Sequence, residues 1–206
     1  MYVPAAFAQT DLPTLYDFME RHSFALFVTD VGGAPYATHL PFLLDRSAGP
    51  QGTLVGHVAR ANPQWTEAAG QTALAIFSGP HAYVSPSWYE AENVVPTWNY
   101  IAVHVYGRVQ VIEDADRLLA IVGTMVTEYE QALPHPWAVG DRNTFIDRML
   151  SQIVGFRIEI ERIEGKWKLN QNHPPDRREK VMCRLREIGG ENAEGIARAM
   201  EDNRGR

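Results

Sequence analysis

The run FRIEIERI, residues 156–163, alternates apolar and charged side chains with a period of two, which puts one face of an extended strand in a core and the other in water. TWNYIAVHVYGRVQVI, residues 97–112, alternates over twice that length and reads as one or two further strands. Parallel sheets are covered on both faces and read as continuous apolar runs, so this patterning predicts an antiparallel sheet.

The remaining strands follow from composition and turn residues. FALFVTD (24–30) and PYATHLPFLLD (35–45) face each other across Gly32-Gly33 as a hairpin, and GTLVGHVA (52–59) follows as a third strand. QTALAIFSG (71–79) and AYVS (82–85) read as two more, and Gly165 is expected to turn FRIEIERI into KWKLNQN as a final hairpin. Helices are fewer. Asp11 caps one whose apolar stripe is Leu12, Leu15, Tyr16 and Met19, and Asp114 through Leu133 carries another with Leu118, Ile121, Val122, Met125 and Tyr129. Asn62-Pro63 opens a short helix ended by Gly70, and a further one is expected near 143–152. Six or more antiparallel strands with few helices between them predict a mainly β fold with flanking helices, a barrel or a sandwich.

After His173-Pro174-Pro175 the chain becomes charged and free of aromatics, with helical spacing broken at Gly189-Gly190. The expected organisation is a body over 1–174 and a charged helical C-terminal extension over 175–206. At 206 residues, 45% hydrophobic and 21% charged, the chain buries a core without staples. Its single cysteine, Cys183, allows no internal disulfide. No apolar run reaches the roughly 18 residues of a membrane span, and MYVPAAFAQTDLP has neither the basic start nor the apolar core of a signal peptide. The expectation is a cytoplasmic protein with no membrane partner.

Nineteen basic against twenty-five acidic residues give a net charge of −6, the wrong sign for a chain that coats a phosphate backbone. The seven histidines show no metal-ligand spacing, no G-x-S-x-G elbow frames a nucleophilic serine, and the standard nucleotide-binding loops are missing. The expected extension carries Arg177, Arg178, Lys180, Arg184 and Arg186 against Asp176, Glu179 and Glu187, leaving only +2. That suits a solvated surface helix better than one that grips DNA.

Three local features carry chemistry. Arg60 stands where a strand runs into the Asn62-Pro63 helix start, a place that suits an anion because free N–H groups, the helix dipole and a forked guanidinium converge there. The same junction also serves as a plain capped helix with Arg60 lying alongside. His39 and His57 sit in neighbouring strands, as packed sheet residues or as acid–base groups. GPHAYVSPSWY (79–89) and VVPTWNY (94–100) gather aromatics including Trp88 and Trp98, which implies an interface, a ligand wall or loop packing.

MYVPAAF, THLPF, GHVARANPQW, FSGPHAYVSPSWY, VPTWNY and KWKLNQN together, in this order, resemble the PaiB-like family of FMN-binding negative transcriptional regulators, from Met1 to about Arg186. The resemblance implies a split β-barrel of the flavin-reductase and pyridoxamine-phosphate-oxidase type, working as a homodimer with FMN at the subunit interface. It implies a phosphate site at His57, Val58, Arg60 and Asn62, and a flavin ring along Thr38, His39, Leu40, Pro41 and Phe42, using backbone groups and the Leu40 and Phe42 side chains. Trp98 and Asn99 would reach across from the other subunit, and Lys168 and Gln171 would close the site. Asn62 and Pro63 stand where phosphate-oxidase relatives carry a second basic residue, so FMN is expected to be weakly held. The output is then regulatory, through a partner protein or weak, salt-dependent DNA contact. The alternatives are a flavin oxidoreductase using NAD(P)H, and a haem binder with a ligand such as His173.

Overall fold

The computed structural model describes Met1 to Asn203. Its strands are β1 (Ala8–Gln9), β2 (Phe24–Val31), β3 (Ala34–Pro41), β4 (Leu43–Asp45), β5 (Thr53–Ala59), β6 (Thr72–Val84), β7 (Thr97–Ile112) and β8 (Ile153–Lys168). They form one sheet in the order β3-β2-β6-β7-β8-β5-β4, with β1 paired to β8. The helices are α1 (Leu12–Arg21), α2 (Gln64–Ala68), α3 (Ala115–Glu130), α4 (Thr144–Leu150), α5 (Pro175–Ile188) and α6 (Glu191–Asp202). The antiparallel, mainly β fold with flanking helices is therefore the one the alternation predicts.

Three expectations change in detail. The strand expected over 35–45 breaks at Phe42, whose N–H donates to the Ser23 carbonyl at 2.9 Å. Phe42 turns its ring into the core, edge-on to Phe156 at 5.9 Å, while Phe156 stacks on Phe27 at 4.4 Å. The chain thereby changes partner: β3 pairs with β2, whereas β4 pairs with β5. Gly56 makes room for this ring cluster, since a Cβ there would sit 2.8 Å from the Phe156 ring. The strands expected at 71–79 and 82–85 are one continuous strand, β6. The final hairpin at Gly165 does not form, because β8 runs straight through to Lys168. Gly165 pairs with Gln9 of β1, and a Cβ would stand 2.4 Å from Leu15 and 2.8 Å from the Gln9 carbonyl. Close approach of two chain segments, and no turn, is what requires a glycine there.

The chain divides into two compact units. Unit one comprises Met1–Phe18, Phe77–His104 and the chain from Glu164 onward. In it Phe18 packs on Trp167 at 5.1 Å, and α5 and α6 bury Val181, Met182, Leu185, Ile196 and Met200. Arg178 on α5 is buried and donates to the carbonyls of Met200 and Asn203, satisfying the C-terminal end of α6. Unit two comprises Met19–Ile76 and Val105–Ile163, with the Phe27, Phe42, Phe156 cluster at its core.

Candidate functional site

In unit two the structure brings the THLPF strand and the HVARAN junction together through one hydrogen-bonded chain. The Asn62 carboxamide oxygen accepts from the Gln64 N–H at 2.9 Å, the Asx-type cap expected before a helix start. Its Nδ2 donates to the Thr38 hydroxyl at 2.9 Å, and that hydroxyl donates to Gln64 Oε1 at 2.6 Å. Gln64 is 0% exposed and donates onward to the carbonyls of Phe27 at 3.0 Å and Tyr36 at 3.3 Å. Sequence reasoning missed Gln64. Its position two residues after an N-cap asparagine was the available signal.

Arg60 sits at the end of β5 and is held on three sides. Nε donates to the Ser151 carbonyl at 2.9 Å, Nη2 to the Ile153 carbonyl at 3.2 Å, and Nη1 pairs with Glu113 at 2.9 Å. The guanidinium lies 5.5 Å from the Trp65 ring centroid, and Trp65 Nε1 donates back to the Arg60 carbonyl at 2.9 Å. Two of the five N–H groups of a guanidinium thus remain for a ligand. His57 is half-buried, its Nδ1 is buried without a hydrogen-bond partner, and burial pushes its pKa down.

The residues expected to line a flavin ring divide by face. Leu40 and Phe42 are 4% and 3% exposed and face the core, as does Val58. Their side chains are spent on packing, so these positions offer a ligand only backbone. His39 is exposed, 6.1 Å from the Phe24 ring, and Pro41 is half-buried. β3 ends the sheet, paired with β2, and Ala34 to Ala37 are exposed on both of its faces. An orphaned His57 nitrogen, two free guanidinium N–H groups and an open edge strand fit the FMN that the resemblance implies. The Glu113 carboxylate paired with Arg60 is unfavourable to an anion at this junction.

Trp98, Asn99, Lys168 and Gln171 belong to unit one. Trp98 is 53% exposed. Asn99 is fully buried, its Nδ2 3.6 Å from Met200 Sδ, so its side chain is not available to a ligand at the surface. Gln171 accepts from the Leu169 N–H at 2.8 Å and donates to the Trp167 carbonyl at 2.6 Å, which consumes its amide in stapling its own turn. Lys168 Nζ donates to the Thr97 hydroxyl and, at 2.6 Å, to the Trp98 carbonyl. Burial, and then Lys166, lower its pKa. His173 stacks on Tyr89 at 4.6 Å, and the Tyr89 hydroxyl accepts from Asn170 at 2.7 Å.

Unit two also holds a cleft of about 880 Å³ between β4, α3 and the end of α1, with Leu43, Leu44, Val55 and Ile121 in its walls. Arg46 on its rim is paired with both carboxylate oxygens of Glu20, at 2.8 and 2.5 Å. Among the described residues no group of three or more His, Cys, Asp or Glu could hold a metal ion, and no helix is long and apolar enough to cross a membrane.

A family model described as "Putative FMN-binding domain" matches residues 1–162. "Protease synthase and sporulation protein PAI 2" of Bacillus subtilis (strain 168) is 38% identical over 205 residues, covering 98% of this chain and 97% of that protein. An uncharacterized protein of Aspergillus fumigatus is 31% identical over 253 residues, with 98% and 97% covered. Among solved structures, the FAD and heme binding protein of Mycobacterium smegmatis superposes with a TM-score of 0.61 at 16% identity, over 89% of this chain and 80% of that one. The flavocytochrome Anf3 of Azotobacter vinelandii gives 0.59 at 13% identity, over 78% and 69%.

Proposed function

Because this chain belongs to the FMN-binding family whose model spans residues 1–162, and is of the PaiB type by its likeness to PAI 2 along nearly all of both chains, we propose that it is a homodimeric, FMN-binding negative regulator of transcription. Its fold is the split barrel shared with the solved flavoproteins. The observation that carries the reading is the Asn62–Thr38–Gln64 chain of hydrogen bonds, which ties the flavin-lining strand to the phosphate junction as one piece.

FMN, when bound, supplies a ring that accepts and returns electrons. The backbone of Thr38 to Phe42, with exposed His39 and half-buried Pro41, would hold the ring. His57, half-buried and with an unpartnered Nδ1, would be the second polar side chain of the junction beside the cofactor. Arg60 would offer its two remaining N–H groups to the phosphate, and Asn62 holds the turn in shape through its bond to the Gln64 N–H. The Glu113 carboxylate beside Arg60 repels a dianion, which supports weak retention of the cofactor.

The dimer is supported by β3, an edge strand whose open side a second copy covers. Output through a partner protein is favoured over direct grip on DNA by the state of α5. Arg178 is buried, Lys180 pairs with Glu90, Arg184 with Glu187 and Arg186 with Glu201. Little free positive charge is left for phosphates. Absorbance of the purified protein titrated with FMN, combined with light scattering, tests the reading. A flavin-binding dimer that does not oxidise NAD(P)H is expected, and sustained turnover of NAD(P)H with an added acceptor overturns the regulator in favour of an oxidoreductase.

A further inference from the structure

α3 turns Leu118 and Met125 into the core, where they are buried. Ile121, Thr124 and Glu128, spaced at i, i+3 and i+7 on another stripe of the helix, line the cleft of about 880 Å³ in unit two. Leu44 of β4 and Val55 of β5 supply further wall. These two and Ile121 are each half-buried, so the cleft is lined by apolar side chains that the chain itself covers only in part. Its volume falls in the range of small-molecule sites, roughly 300–1,000 Å³.

The charges in this cleft are not balanced. Both of its cations are taken up within the chain: Arg46 donates through Nε and Nη2 to the two carboxylate oxygens of Glu20, at 2.8 and 2.5 Å, and Arg21 has a partner of its own. Glu128 and Asp45 are left without a cation. The Glu128 carboxylate has no hydrogen-bond or ion-pair partner among the described residues. Asp45 accepts from the hydroxyl and the N–H of Ser47, at 2.7 and 3.0 Å, and these bonds hold its pKa below the usual carboxylate value. Tyr129 adds an aromatic ring, 45% exposed, with its hydroxyl fixed on the Ser23 hydroxyl at 2.9 Å. Apolar walls, an aromatic ring and uncompensated negative charge suit an organic cation. They have the wrong sign for a phosphate, which sets the cleft apart from the Arg60 junction. Of the residues given to the flavin only Phe42 borders it, with a side chain that is 3% exposed.

We propose that this cleft is a second ligand site, for a small amine with an apolar or aromatic body, which lies against Leu44, Val55 and Ile121 while the carboxylates of Glu128 and Asp45 draw its ammonium. The site does not rest on the flavin reading.

Calorimetric titration with phenethylamine, 2-phenylethanol and phenylacetate, which share a benzyl body and differ in head group, tests it. Phenethylamine is expected to bind about fivefold more tightly than the alcohol, with an advantage that shrinks as salt is raised, and phenylacetate more weakly than either. Asp45→Asn/Glu128→Gln is expected to abolish the difference between amine and alcohol. Glu128→Gln alone, which breaks no contact within the chain, is expected to reduce it with the thermal melt unchanged. Ala120→Trp places a ring in the cleft from an exposed position on α3, and is expected to weaken amine and alcohol alike while FMN still binds. Equal affinity for amine and alcohol, tightest binding by phenylacetate, no amine binding at about 10 mM, amine binding unchanged in Ala120→Trp, or competitive displacement of the amine by FMN would each overturn the site. FMN binding is read separately in the same proteins, so its failure leaves this site standing and the two readings are told apart.

Discussion

Gln64 is where three segments converge: its amide accepts the Thr38 hydroxyl, donates to β2 at Phe27 and donates to β3 at Tyr36. Replacing it with leucine removes the acceptor of the Thr38 hydroxyl proton and the side-chain donor to the buried Phe27 carbonyl, a loss of roughly 1–3 kcal/mol. Gln64→Leu should therefore lower the urea midpoint of unfolding clearly. Adding Thr38→Val should cost less than the two changes separately, because the Thr38–Gln64 bond can be lost only once. A Gln64→Leu midpoint equal to the parent's would show that the network is not structural. Titration at the same scale gives a second prediction. Burial lowers the pKa values of His57, His104 and His173, so the unfolded chain takes up protons below its own histidine pKa of about 6.5 while the folded chain resists. Their stabilising contribution is complete above about pH 6.5 and is lost as pH falls toward the folded values. The urea midpoint should drop between pH 7.5 and 5.5, less so in His57→Gln, and an unchanged midpoint in the parent would contradict this.

Among the elements, β8 makes the sharpest demand. Gly165→Ala would force a methyl into Leu15 and the Gln9 carbonyl, so α1 and β1 must shift. Overpacking of this kind costs about 1–3 kcal/mol and occasionally more, and a lowered melting temperature is expected. A melt matching the parent's would mean that β1 and α1 yield freely. The same glycine shows how far elements can be read from sequence. The alternation of β7 and β8, the β2–β3 hairpin and the stripe of α3 were legible because period and turn residues are local signals. Gly165 was misread as a turn because a glycine needed for close packing looks the same in sequence as one needed for a bend. The break at Phe42 was invisible because the residue is as apolar as its neighbours, and only the three-dimensional ring cluster turns it inward. At the candidate site, Arg60 and Asn62 were legible from a strand–cap junction. Asn99 was not, since its burial against Met200 depends on a residue distant in sequence, and Gln171 was not, since its bonds to Leu169 and Trp167 arise from the conformation of its own turn.

At the scale of the whole molecule the account predicts a dimer and a poor DNA binder. Light scattering at micromolar concentration should give twice the chain mass, and a monomer would remove the shared edge at β3. Any DNA complex should weaken steeply as salt is raised, because most of the basic side chains of α5 are already paired. A sequence-selective complex of nanomolar affinity that persists at about 0.2 M salt would contradict the partner-protein output. The central claim is that the FMN phosphate meets Arg60, and fluorescence titration of FMN and riboflavin against the parent and Arg60→Ala tests it most directly. Loss of a charge-assisted contact of roughly 1.5–3 kcal/mol predicts FMN affinity reduced about tenfold to 150-fold. Riboflavin, which has no phosphate, should bind the two proteins alike. Unchanged FMN affinity in a folded Arg60→Ala protein, or equal losses for both flavins, would contradict the account.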